Sequence, residues 1–124
     1  KGVFEKAKTS KEKAGEKFPF TDYKKYGKMI KEWNKSFLQE GPVVAIVVDG
    51  PHAVELCRKI VGATAPREAL PGTIRGDYSY ESYQVSDTQQ RPIRNLVHAS
   101  GSVQEAKREI GLWFKKQELY RYTK

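Results

Sequence analysis

His98 stands where a side chain could act on phosphate. The run Ile93 to His98 alternates in character, with Ile93, Asn95 and Val97 on one side and Arg94, Leu96 and His98 on the other, which predicts a short strand. Ser102-Val103-Gln104-Glu105 has the form of a capping box, a hydroxyl for a free backbone N–H and a carboxylate three residues on. A histidine between a strand end and a helix start faces free N–H groups and the positive end of the helix dipole, a setting that attracts phosphate. A neutral imidazole, with a reference pKa of about 6.5, is a competent nucleophile near neutrality. Phosphoryl transfer otherwise asks for positioning and positive charge. Thr64, Arg67, Thr73 and Arg75 lie together in an irregular stretch and suit oxyanion binding. Taken singly, each has a plainer reading. A lone histidine is more often structural, Arg58 and Arg75 could be solvated charges, and Glu105 and Glu109 share one helix face with nothing local to rank them. His52, at a helix start, reads as an exposed turn residue rather than a metal ligand.

The elements that must position these groups follow from pattern. Val3, Phe4 and Ala7 make one side of a short Lys/Glu-rich helix in residues 1–17, which Phe18-Pro19-Phe20 interrupts. Thr21 or Asp22 can cap a second helix whose apolar stripe is Tyr26, Met29, Ile30, Trp33 and Phe37. Gly41-Pro42 ends it. Residues 42–48 form a short β-branched run before Asp49-Gly50 and predict a central strand buried on both faces. A helix is predicted over 52–61, with Ala53, Val54, Cys57, Ile60 and Val61 on its apolar side and Gly62 as C-cap. Residues 63–92 show little regular pattern, and a stretch that long is usually functional. Val103, Ala106, Ile110 and Trp113/Phe114 mark the last helix, and residues 115–124 form a basic tail.

The chain has 124 residues and a formal net charge of +8, which favours anionic partners. Eleven lysines against six acidic residues fall in residues 1–40, a balance that fits a solvated, lysine-rich helical face. One cysteine, Cys57, excludes an intrachain disulfide and a cysteine metal cluster. It fits a small core residue and a reducing compartment. No apolar run reaches membrane-spanning length, no signal peptide is visible, and no glycine-rich nucleotide-binding loop of the common kinds is present. The expectation is one domain over 1–124: a Lys-rich helical segment at 1–40, a catalytic part at 41–114 and a tail at 115–124.

Asn95-Leu96-Val97-His98-Ala99-Ser100, followed by Glu109-Ile110-Gly111-Leu112-Trp113-Phe114, closely resembles the active-site signature of nucleoside diphosphate kinases. The likeness extends through Gly41 to Val47, Arg58 with Gly62-Ala63-Thr64, and Pro71 to Asp77. It implies transfer of the γ-phosphate of a nucleoside triphosphate to a nucleoside diphosphate, ping-pong, through a phosphohistidine. On this resemblance His98 is the nucleophile, Glu109 orients its ring and Ser100 supports the pair. Arg58, Thr64 and Arg75 hold phosphates and Asn95 holds the sugar hydroxyls. The base-stacking aromatic falls among Phe20, Tyr23, Tyr26 and Trp33. Magnesium (Mg2+) would bridge the nucleotide phosphates with few protein ligands.

The implied fold is an α/β sandwich, a ferredoxin-like antiparallel sheet with helices packed on it. The implied setting is a cytoplasmic homo-oligomer, tetramer or hexamer, without membrane or nucleic-acid partners. The alternative is a catalytically silent relative that binds nucleotides or partners. Ala99 and Gly101 replace residues common in the family, and residues 78–92 fit a long-loop variant. The family's opening Lys-Pro-Asp-Gly strand has no counterpart here. The chain also begins with Lys rather than Met. An upstream segment carrying that motif is therefore expected, either missing from this sequence or supplied by another polypeptide.

Overall fold

The computed structural model describes residues 1–13, 15, 18 and 20–120. Pro19 and residues 121–124 of the basic tail lie outside them, as does the side chain of Val3. Six α-helices follow in order: α1 (Gly2–Lys13), α2 (Tyr23–Leu38), α3 (Ala53–Val61), α4 (Ile74–Tyr78), α5 (Tyr83–Thr88) and α6 (Val103–Trp113), with 3-10 turns at Pro66–Glu68 and Lys116–Glu118. The chain divides into two compact units, residues 1–42 and 43–124.

In the first unit, Asp22 caps α2 as its position suggests, its Oδ1 accepting from the N–H of Lys24 at 2.8 Å and of Lys25 at 3.4 Å. All five residues of the α2 stripe are half-buried, whereas most of its other positions are exposed. Phe4 of α1 is buried and meets Phe18 edge-on at 5.1 Å between ring centroids and Tyr26 at 5.8 Å. Phe20 packs on Tyr26 at 4.9 Å. These aromatics form the core of the hairpin, and each offset or edge-on pair adds about 0.5–1.5 kcal/mol beyond area burial.

The second unit departs from expectation. No strand occurs among the described residues, which overturns the α/β sandwich with its ferredoxin-like sheet. Residues 43–48 are not buried on both faces: Val44 is 87% and Ile46 76% exposed. A strand is a property of a pair, because its N–H and C=O groups need a neighbouring ladder, and no segment among the described residues pairs with 43–48. Residues 93–98 fail for a local reason. The N–H of Asn95 bonds Ile93 O at 3.2 Å and that of Val97 bonds Asn95 O at 2.8 Å. Leu96, between them, sits at φ +68°. The second bond closes a tight γ-turn, and a γ-turn cannot continue a pleat.

Residues 63–92 prove more regular than expected. Thr73 Oγ1 accepts the Gly76 N–H at 3.2 Å and Ser82 Oγ the Val85 N–H at 3.2 Å, capping α4 and α5. Arg91 grips Glu81 through two nitrogens at 3.1 and 2.7 Å, with both side chains largely buried. Hydrogen bonding to Arg91 holds the Glu81 carboxyl below its usual range. This pair closes the stretch that carries α5, from Glu81 to Arg91.

Helix α3 begins after His52, exposed and left-handed at φ +56°, and ends at Gly62 as read from the sequence. Gly62 is needed on two counts. Its φ is +88°, and a Cβ there would stand 2.5 Å from Thr73 Oγ1. Val61 is buried on the expected face, but Ile60, at the margin of that stripe, is 57% exposed. The interior of this unit is small and partly polar: Val61, Ala65, Arg75, Ser82 and Ser86 are all buried.

Candidate active site

Three segments of the second unit build the site: the last turn of α3 with the residues just after it, the γ-turn at Leu96, and the first turns of α6. The start of α6 is capped as its sequence predicts, Ser102 Oγ accepting the Glu105 N–H at 3.1 Å. The Glu105 carboxylate reaches back one residue further than a standard capping box, taking the Gly101 N–H at 2.9 Å. It thereby places an acid at the positive end of α6.

Across the second turn of α6, Glu109 turns toward His98. Its Oε2 lies 3.0 Å from His98 Nε2 and accepts the Ser100 hydroxyl at 2.7 Å. The Ser100 bond, followed by the His98 contact, holds the Glu109 carboxyl below its ordinary value, although burial opposes this. Glu109 is therefore ionised at neutral pH and can only accept, so the proton it shares with the ring belongs to Nε2. That choice of tautomer leaves Nδ1 as the nitrogen with a lone pair. The His98 side chain is 73% exposed and Glu109 22%: an anchored carboxylate steers an accessible ring.

A cleft of about 250 Å³ opens beside His98, lined by Arg58, Thr64, Arg75, Asn95 and Glu105 among others. Its volume is under the ~300 Å³ at which small-ligand pockets begin, so it matches a phosphate tail better than a whole nucleotide. The sequence-predicted residues thus fall into one locality. His98, Ser100 and Glu109 are joined by hydrogen bonds, and Arg58, Thr64, Arg75 and Asn95 share the cleft with His98. Arg58 is exposed on α3. The Asn95 amide donates to Thr64 O at 3.3 Å. Thr73 turns elsewhere, its hydroxyl donating to Leu70 O at 2.6 Å, and Arg67 does not line the cleft.

Arg75 is the least expected. It is 7% exposed, and its guanidinium donates to Asn95 O, Gly62 O, Ala63 O and Val97 O at 3.1, 3.0, 3.1 and 2.6 Å. Burial, with Arg58 nearby, pushes its pKa down, and Tyr83 pulls it up. A guanidinium remains charged throughout. Glu105 joins the cleft beyond the residues expected from the sequence, where its place in the capping box is the available signal.

No group of three or more His, Cys, Asp or Glu suited to a metal occurs among the described residues. Among the described residues, Glu105 is the one carboxylate lining the cleft. That donor set fits a magnesium ion carried in on phosphates, not one held by a protein cage.

The Ser100–Glu109 contact makes a pH test. A hydrogen bond to a charged group is worth about 1.5–3 kcal/mol. A carboxylate with a depressed folded pKa contributes stability above its unfolded value, near 4.5, and loses it as pH falls through the lower folded value. Ser100→Ala removes the largest cause of the depression. The folded value then moves up toward the unfolded one, so the variant should lose less thermal stability than the wild type as pH falls below about 4.5. Equal losses would show that Ser100 does not set the Glu109 pKa.

The profile of the family described as nucleoside diphosphate kinase matches residues 5–119. The nucleoside diphosphate kinase of Pyrobaculum aerophilum is 47% identical over 93 residues, 75% of this chain and 51% of its own length. That of Pyrococcus furiosus is 46% identical over 98 residues, covering 79% and 56%. The chain thus spans about half the length of these curated relatives. Among solved structures, an NDP kinase from Pyrobaculum aerophilum aligns with a TM-score of 0.88 at 38% identity, over 97% of this chain and 68% of that one. A nucleoside-diphosphate kinase from Borrelia burgdorferi, solved as a transition-state mimic with bound vanadate and ADP, aligns at 0.55 with 46% identity over 57% and 42%. On the extent of the profile match and the identity of these relatives, the chain belongs to the nucleoside diphosphate kinase family.

Proposed function

We propose that this chain transfers the γ-phosphate of a nucleoside triphosphate to a nucleoside diphosphate through a phosphohistidine on His98. The observation that carries the reading is the Glu109–His98 bond, which engages Nε2 and leaves Nδ1 for attack. The Nδ1 lone pair forms the bond to phosphorus as the bridging P–O bond breaks, and the diphosphate leaves with the bonding electrons. Positive charge that builds on the ring is met by Glu109 through Nε2–H. A β-phosphate oxygen of the second diphosphate then attacks the phosphorus and the N–P bond breaks, restoring the neutral ring.

Arg58 and the Thr64 hydroxyl would hold phosphate oxygens along the cleft. The Asn95 carbonyl oxygen would accept from a sugar hydroxyl while its amide stays on Thr64 O. Magnesium, when bound to the nucleotide, would neutralise phosphate charge, in a cleft whose lining includes the Glu105 carboxylate. The partners are nucleoside triphosphates and diphosphates, and the working state is a cytoplasmic homo-oligomer. No helix among the described residues is long and apolar enough to cross a membrane.

The test is a two-step labelling. The protein, incubated with ATP labelled at the γ-phosphate, should acquire an acid-labile, base-stable label and surrender it to added GDP. A protein that binds ATP yet never takes label would be a silent relative.

A further inference from the structure

We propose that Glu105 is a specificity-determining residue of the cleft: it favours a nucleotide that carries magnesium over the bare polyanion, and Gly101 leaves the room its carboxylate needs. The inference rests on the kinase reading of the cleft and goes beyond it.

An acid is out of place among groups that suit phosphate. Arg58, Thr64, Arg75, Asn95 and His98 line the cleft with Gly101 and Glu105, and like charges brought together across a binding surface weaken it. Capping does not require the carboxylate there. Ser102 Oγ already takes the Glu105 N–H at 3.1 Å, whereas Glu105 Oε2 takes the N–H of Gly101, outside the helix, at 2.9 Å. That bond uses one oxygen. Among the described residues Oε1 has no hydrogen-bond or ion-pair partner, and Glu105 is exposed.

Gly101 makes this arrangement possible. A Cβ at that position would stand 2.7 Å from Glu105 Oε2 and 3.9 Å from an Arg58 terminal nitrogen. Gly101 is not among the described glycines with positive φ, so space, not backbone conformation, calls for glycine. The carboxylate and the guanidinium therefore flank one point at the cleft. The guanidinium attracts phosphate oxygens whether or not a metal rides on them. The carboxylate distinguishes the two cases. It repels a bare diphosphate, but a magnesium ion cancels much of that charge and keeps several waters, whose hydrogens Glu105 can accept.

Glu105→Gln supplies the test, because it keeps the size of the side chain and removes the charge. ADP affinity is measured by calorimetry in excess magnesium and in EDTA. The wild type should bind more tightly with magnesium. An acceptor in a metal's outer shell is worth about tenfold to a hundredfold in metal affinity, and the exposure of Glu105 places it at the low end. The ratio of the two affinities should therefore shrink about tenfold in the variant, through tighter binding of bare ADP and weaker binding of its magnesium complex. Gly101→Ala keeps the charge but displaces the carboxylate, and should shrink the ratio less.

An unchanged ratio in a Glu105→Gln protein that still takes label from ATP would overturn the proposal, leave Glu105 a helix cap and leave the kinase reading standing. ADP binding in neither medium would overturn both. A measurement on the wild type decides independently of any variant. With trace manganese replacing magnesium on ADP, the carbon-13 signal of the Glu105 carboxyl should broaden more than that of Glu109, which is not among the residues lining the cleft. Equal or greater broadening at Glu109 would sink the idea.

Discussion

His98→Ala should take no detectable phosphate from ATP while binding ADP within about threefold of the wild type. The loss should be at least about ten-thousandfold, the scale on which a covalent nucleophile fails when removed. The neighbouring groups cannot substitute. Ser100 has its hydroxyl committed to Glu109 at 2.7 Å, and Glu109 is anchored by that bond. The fold should be indifferent. The His98 side chain is 73% exposed, Ser102 and Glu105 cap α6, and substitutions at such positions usually stay within about 0.5 kcal/mol. Labelling is therefore read against an intact protein, checked by its thermal midpoint. His52→Ala is the matched control. It removes the other histidine, exposed and without a side-chain cap bond, and should label as the wild type does. Label persisting on the His98 variant would move the nucleophile elsewhere.

The site was legible in sequence to the extent that local chemistry determines it. Capping by Ser102, and the placement of Glu105 and Glu109 on one helix face, follow from i to i+3 and i to i+4 spacing alone. The choice of Glu109 over Glu105 does not, since both are one reach from the loop before α6. Only the fold settles that Glu105 turns to Gly101 and Glu109 to His98. Arg75 shows the limit most clearly. A guanidinium in an irregular stretch reads as suited to oxyanions, and nothing nearby in sequence discloses that it is buried. Its four acceptors come from Gly62, Ala63, Asn95 and Val97, 12 to 22 residues away.

The same distinction governs the fold. Helix α2 is legible because its cap and its five-residue stripe are both local, and both appear as read. Helices α4 and α5 have five and six residues, too few for a periodic stripe, which is why residues 63–92 read as irregular. Residues 43–48 carry a strong β composition, but composition reports a preference for extended backbone, not a neighbour to pair with. Residues 93–98 alternate correctly and still turn at Leu96, whose left-handed backbone an alternation of apolar residues does not disclose.

Arg58→Ala should slow phosphoryl transfer by a few hundredfold. Arg58 is an exposed cation lining the same cleft as His98. Burial first, and then the nearness of Arg58, hold the Arg75 pKa down, so an anion near both cations relieves repulsion as well as gaining attraction. Removing one preorganised donor to developing negative charge costs about 2.7–4 kcal/mol, or roughly a hundredfold to a thousandfold in rate. Structural loss should be slight. Alanine is the better helix former, and the favourable placement of a cation in the last turn of α3 is worth only about 0.3–1 kcal/mol. Arg58→Lys keeps the charge without the planar fork and should fall between the two. Single-turnover labelling separates the possible roles. If the alanine variant binds ATP less tightly but transfers at the wild-type rate once saturated, Arg58 contributes equally to ground and transition states. The expected result is the opposite: a slow step at saturation with affinity changed far less, because charge is spread over the phosphoryl oxygens only as the P–O bond to the diphosphate breaks.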